Sequence, residues 1–408
     1  MEYDIIIVGG GIVGLATALK LKEQRPQLKL AVLDKENKVA AHQTGHNSGV
    51  IHSGVYYQPG SLKAINCIRG YQMLVNFCQQ QDIPYELCGK VIVATNPSEL
   101  PQLDKIQERG TANGLAGLKR LVKEEIDEYE PHVNGLEAIF VPQTGIINYT
   151  DVCQKYAELM QQYDGTLFLD RKVLDIRSHM GGSTIITNHG TFTTRIVINC
   201  AGLYSDKIAQ MMRPDVNVKI VPFRGEYYEL KKDKQYLVKN LIYPVPDPAF
   251  PFLGVHFTRM IEGGIEAGPN AVLAFRREGY TRSDIHPGEL SETLSWPGFQ
   301  KVARKYWRTG LGEMYRSFSK SAFTKALQHL IPAIKEDDLV PGGAGVRAQA
   351  CDRDGGLLDD FKILEDEYAV HVLNAPSPAA TSSLSIGQTV SELILPRFNR
   401  KKMTFSVE

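Results

Sequence analysis

The chain lacks an excess of either charge: Lys and Arg together number 46, Asp and Glu 46, and the formal net charge is zero. A dedicated nucleic-acid binder normally carries a basic surplus, so no nucleic-acid partner is expected. Cysteine is sparse. Cys67, Cys78, Cys88, Cys153, Cys200 and Cys351 are scattered, with no C-x-x-C pair and no Cys/His spacing suited to zinc. Reduced thiols, no metal site and a cytoplasmic location are the expectation. The start, Met1-Glu2-Tyr3-Asp4, lacks the basic n-region of a secretory signal. The early uncharged run between Asp4 and Lys20 is rich in glycine and too short to span a bilayer, so any membrane contact is expected to be peripheral.

What is present is ordinary globular material: 408 residues, 43% hydrophobic and 23% charged. That length exceeds one ordinary core and predicts two domains or one elaborate one. YDIIIVG reads as a buried parallel strand, IVGLATALKLKEQ as a helix and KLAVLD as a second buried strand, which together make a βαβ unit. Helical and strand-like stretches alternate through to about residue 215, with TDVCQKYAELMQQY helical and RIVINCAG an apolar strand. Residues 216–276 are strand-rich, 288–330 helical, and the chain closes with strands and a helix near 378–395. No repeat or flexible linker interrupts it. The predicted class is α/β plus α+β, a Rossmann-type domain with an antiparallel-sheet domain threaded through it.

The clearest motif is Gly9-Gly10-Gly11-Ile12-Val13-Gly14, a G-x-G-x-x-G between strand and helix. Gly9 permits the tight turn, Gly11 a close approach to pyrophosphate, and Gly14 close helix–strand packing. The helix start offers free N–H groups and a positive dipole end. Asp34, at the end of the second strand, suits a ribose hydroxyl and would repel a 2′-phosphate. FAD is favoured over NAD by three features: the motif's N-terminal place, the small residues of Asn199-Cys200-Ala201-Gly202, and the long loop HQTGHNSGVIHSGVYY.

Together the cradle, the 44–57 loop, PFRGEYY, FLGVHFTR, GPNAVLAF, GVRAQA and NAPSPAATSSLSIG resemble the L-2-hydroxyglutarate oxidase/dehydrogenase family of the glycine oxidase / D-amino-acid oxidase superfamily. The resemblance runs almost end to end. It implies a discontinuous FAD-binding domain, residues 1–85, 148–215 and 340–408, and a substrate domain, 86–147 and 216–339, roofing the flavin. By matching positions, non-covalent FAD would be held by Gly9, Gly11, Gly14, Asp34 and Lys35. Thr44, Gly45, His46, Asn47, Ser48 and Gly49 would run past the pyrophosphate and ribityl, Val173 would meet adenine, and Ala201 and Gly202 would lie under the cofactor. Ala379, Ala380, Thr381 and Ser382 would begin a helix aimed at the flavin. Cys351 is the cysteine to check for covalent attachment.

The implied reaction oxidises a 2-hydroxy dicarboxylate, L-2-hydroxyglutarate, with quinone or oxygen as acceptor. Two carboxylates need two cationic anchors. Arg347 is the first carboxylate anchor, and Arg259 and Arg224 are second-tier anchors for the distal carboxylate that read equally well as structural ion pairs. A histidine suits the base. His256 and His52 rank level; strand alternation separates His256 from Arg259. Tyr57 and Tyr243 are expected to line the pocket. An amino-acid or amine oxidase of the same fold is the alternative activity, and a non-metabolic FAD protein the more distant one. Residues 300–325 carry Lys301, Arg304, Lys305, Arg308, Arg316, Lys320 and Lys325 against Glu313 alone, interleaved with Phe299, Tyr306, Trp307, Tyr315, Phe318 and Phe323. This segment reads either as a solvated helical face or as a contact with an anionic membrane surface, which would be the cytoplasmic face of the inner membrane.

Overall fold

The strand Glu2–Val8 sits between Leu30–Leu33 and Gly190–Asn199, parallel to both. The apolar run explains the position: Ile5, Ile6, Ile7 and the whole of Leu30–Leu33 are buried on both faces. Thr166–Phe168 extends the sheet beyond Leu30–Leu33, and Ala369–Asn374 extends it beyond Gly190–Asn199, again parallel. The antiparallel hairpin Val173–His179/Gly182–Thr187 packs on the same long strand. The computed structural model describes residues 2–247 and 254–399. Phe252 and Leu253 of the FLGVHFTR motif lie outside the described residues.

Three helices cover one side of this sheet. Ile12–Gln24 packs between Tyr149–Gln162 and Ser383–Asn399. A Cβ on Gly387 would strike the Ala16 backbone, so glycine lets the first and last of these helices cross closely. The helix predicted near 378–395 begins at Ser383, and residues 379–382 form the turn before it.

Among the described residues the second sheet has nine strands. Its spine is the antiparallel ladder of Val218–Leu230 with Leu339–Asp352, running from Val218↔Asp352 to Leu230↔Leu339. Four further strands, Ile265–Gly268, His256–Arg259, Leu241–Pro244 and Lys90–Ala94, follow in order. The last two pair in parallel, so the sheet is mixed rather than purely antiparallel. The strand Leu339–Asp352 therefore belongs with the roofing sheet, although the sequence reading grouped it with the cofactor segments. The helices Pro297–Phe318 and Lys320–Gln328 pack on this sheet through Phe299, Val302, Phe323 and Leu327. Between the two large sheets lies a small one of Val50–Ile51, Gly145–Ile147 and Tyr85–Glu86.

Candidate functional site

A cavity of about 850 Å³ runs between the two large sheets. One end is made mostly of backbone. Gly9 has φ +117°, and a Cβ there would collide with the Cys200 carbonyl. Gly9 and Gly11 line the cavity. Gly14 does not; it packs against Gly9 and Cys200, holding the helix down on the strand. Gly11 caps the helix without any side-chain bond, which leaves N–H groups at the helix start for a ligand. One of them is taken: Ile12 N donates to Thr44 Oγ1 at 3.0 Å.

Asp34 lines the cavity and organises the turn, accepting from Gly10 N at 2.6 Å and Glu36 N at 2.9 Å. Burial pushes its carboxyl up, against those two bonds. Lys35 pairs with Glu36 and, at 2.5 Å, with Glu278, and lies 3.2 Å from His42. Glu36, His42 and Glu278 are close enough to hold a metal, but the Lys35 ammonium already lies among them. His46, Asn47 and Ser48 line the wall, as do Val173, Ala201 and Gly202. The His46 ring lies 4.3 Å from that of Tyr280. Gly45 and Gly49 shape the loop from behind: a Cβ on either would strike the carbonyl of Ala40 or Ile147. The glycine turn, the uncapped helix and the acid suit an adenine dinucleotide.

The other end is made of side chains. The roof is Gly225 and Tyr227 from one strand of the ladder and Gly345 to Gln349, with Arg347 between, from the other. The floor includes Val50, His52, Lys63, Tyr149, Ala379, Ala380 and Thr381. Ser382 is fully buried off this wall, against Gly70. His52 is pinned from two sides: its N–H donates to Thr381 Oγ1 at 3.1 Å, and Cys67 Sγ donates to its carbonyl at 3.5 Å. Tyr149 fixes Thr381 at 2.7 Å and donates to Val50 O at 2.9 Å. Burial drives the His52 imidazole well below its usual range, and the charges of Lys90, His256, Lys63 and Arg347 push the same way. In the free site its uncharged form is therefore favoured.

His256 is not on the cavity wall. Its ring stacks on Tyr243 at 3.9 Å, its Nδ1 meets Gly254 O at 2.9 Å, and burial takes its pKa down to about 3. Tyr243 is sandwiched between His256 and Lys90, and Tyr57 lies beneath Lys63; neither tyrosine reaches the wall. The two arginines expected to anchor the distal carboxylate lie off the wall, committed to structural pairs. Gly225 and Tyr227 line the cavity, whereas the alternating Arg224 and Glu226 do not. Arg224 is 4% exposed and bonds Glu226 at 2.9 Å and Thr281 O at 3.0 Å, while Glu226 accepts from Ser317 at 2.6 Å. Arg259 pairs with Glu86. Cys351 also lies off the wall, packed with Val221, Phe299 and Val302.

Sequence reasoning missed Lys90 and Lys63. Lys90 opens the strand KVIVA, 1% exposed, with its ammonium 4.2 Å from the Tyr243 ring centre and 5.1 Å from that of Tyr56. It makes no ion pair among the described residues, and burial lowers its pKa to about 7. A lone lysine heading a fully buried strand was the available signal.

A family model described as FAD dependent oxidoreductase matches residues 4–393. The chain is 63% identical over 399 residues to an L-2-hydroxyglutarate dehydrogenase of Indibacter alkaliphilus, covering 98% of this chain and 100% of that one. It is 45% identical over 386 residues to the L-2-hydroxyglutarate dehydrogenase of Escherichia coli strain K12, covering 94% and 91%. Among solved structures, an L-alpha-glycerophosphate oxidase from Mycoplasma pneumoniae with FAD bound aligns with a TM-score of 0.79 at 24% identity, covering 98% of this chain and 96% of that one. A glycine oxidase from Geobacillus kaustophilus aligns at 0.73 and 17%, covering 98% and 96%. These two likenesses concern the fold.

Proposed function

The chain belongs to the FAD-dependent oxidoreductases and, within them, to the L-2-hydroxyglutarate dehydrogenases, and on that footing we propose that it binds FAD along the cavity and oxidises L-2-hydroxyglutarate to 2-oxoglutarate. FAD supplies the acceptor for the C2 hydrogen and its electron pair. The chain's own residues do the rest. The uncharged His52 takes the hydroxyl proton, Arg347 holds the C1 carboxylate, and the helix start behind Ala379 to Thr381 favours negative charge near the ring. The observation that carries this reading is the meeting of His52 with Arg347 and Lys63 on the wall at one end of the cavity, with Lys90 buried behind that wall. Such a cationic end favours a dianion over the zwitterions an amino-acid oxidase takes. The test is anaerobic bleaching of the yellow protein by a panel of acids. L-2-Hydroxyglutarate should bleach it, and glycine, sarcosine and D-amino acids should not; bleaching by the amino acids alone would overturn the reading.

We further propose quinone in a membrane as the electron acceptor. The support lies on the helix Pro297–Phe318. Trp307, Leu311, Tyr315 and Phe318 share one stripe and are exposed at 56, 62, 66 and 68%. Lys301, Arg304, Lys305 and Arg308 are exposed on the same helix, whereas the acid Glu313 is buried and paired with Arg316. Phe299 and Phe323, from the expected aromatic set, are core residues instead. No helix of the described residues is long and apolar enough to cross a membrane. An apolar stripe flanked by cations fits an anionic leaflet. Wild type should sediment with anionic vesicles at low salt; if neutralising Lys301, Arg304 and Lys305 leaves sedimentation unchanged, the membrane reading fails.

A further inference from the structure

We propose that Lys63 binds the second carboxylate of the substrate, and that Asp359 holds that place while the site is free of substrate. The inference rests on the dicarboxylate reading above and names the residue that selects for two carboxylates.

Lys63 stands in the first turn of the helix Leu62–Gln80, whose start is fixed by Ser61 accepting from Ala64 N at 3.1 Å. Its side chain is 13% exposed, lines the cavity, and carries its ammonium 5.0 Å from the Tyr57 ring centre. The ring gives the cation a partly apolar seat and fixes where it points. Its charge acts on His52, as does that of Arg347. A substrate with its hydroxyl at His52 and its first carboxylate on Arg347 therefore has a second cation within the same wall.

Lys90 is less suited to that contact. It is the more deeply buried cation and lies behind the wall, beneath two tyrosine rings. Lys63 is on the wall, and among the described residues its one ion-pair partner is Asp359, at 2.7 Å. Asp359 comes from the loop between Leu339–Asp352 and Lys362–Glu365, lines the same cavity and is 92% exposed. A carboxylate so exposed loses almost nothing on returning to water, and a pair with one partner in solvent is weak. Exchange of Asp359 for a substrate carboxylate keeps one anion on the ammonium throughout. A monocarboxylic hydroxy acid cannot make the exchange.

Calorimetric titration of the FAD-loaded protein with glutarate and with butyrate tests this without turnover. Lys63→Met should weaken glutarate by roughly 10–100-fold, the size of a lost charged hydrogen bond, and leave butyrate within about twofold. Lys63→Arg should restore most of the loss. Asp359→Asn should tighten glutarate, since the competing anion is gone, and leave butyrate alone. Equal weakening of both acids by Lys63→Met, or no effect on glutarate, overturns the assignment of Lys63. Unchanged glutarate binding in Asp359→Asn overturns the place-holder role. If Lys63 sets glutarate binding while L-2-hydroxyglutarate fails to bleach the flavin, the catalytic reading falls and the carboxylate site stands.

Discussion

The two ends of the cavity are built from different materials. At the nucleotide end the wall is main chain: Gly9, Gly11 and the first turn of Ile12–Gln24, with Asp34 spending its oxygens on backbone N–H groups. At the catalytic end the wall is side chains from distant segments: His52, Lys63, Tyr227, Arg347 and Thr381. The first end works by shape, and what matters is the absence of side-chain atoms. The second works by charge, and what matters is which cations surround an uncharged imidazole.

Mutations should therefore fail in kind as well as in degree. The largest effect belongs to the nucleotide end. Gly14→Val would drive a side chain into the Gly9 carbonyl and lift the helix from the strand; the expected product is colourless, with the flavin-to-protein absorbance ratio near zero. Normal flavin content would break the contrast. At the catalytic end, His52→Ala should keep full colour and slow anaerobic bleaching by roughly 10²–10⁴-fold. His256→Ala is expected to slow it far less, because that ring faces Tyr243 rather than the cavity. The reverse ranking would exchange their roles. Arg347→Ala should raise the KM for L-2-hydroxyglutarate by roughly tenfold or more, with FAD retained; near-normal kinetics would remove Arg347 from the site.

The smallest effect is expected of Lys90→Met. Lys90 helps hold the His52 conjugate acid below its usual range, so removing the charge raises that pKa. Bleaching needs neutral His52 and is lost as pH falls through this value. The acid limb of the pH–rate profile should thus move to higher pH. Because a buried ammonium with no ion pair among the described residues is replaced by an apolar chain of similar length, Tm should hold or rise. A fixed acid limb would mean that His52 does not feel Lys90.

The same contrast explains what was legible beforehand. The cradle depends on neighbours in sequence: a strand, three glycines, a helix and an acid one strand later. Local pattern carries all of that, and the structure has each element where the pattern puts it. Gly45 and Gly49 were harder, since a glycine serving a ligand and one serving its own loop look alike as letters. The catalytic end depends on which face of a strand a residue takes and on what lies five strands away. Arg224 and Arg347 both looked like anchors. Pairing of Arg224 with Val346 and of Phe223 with Arg347 sends the two arginines to opposite sides of one ladder. Lys63 and Lys90 gained significance only once folding brought them to His52.

That ladder acts as a ruler. The guanidinium of Arg347 rides on strands rather than on a loop, and its reach is set by counting residues from the irregularity between Glu226 and Tyr228. Removing one residue of Leu339–Asp352 between that point and Arg347 would turn the arginine to the opposite face, since neighbours on a strand point opposite ways. Such a protein would stay yellow and folded yet be blind to its substrate.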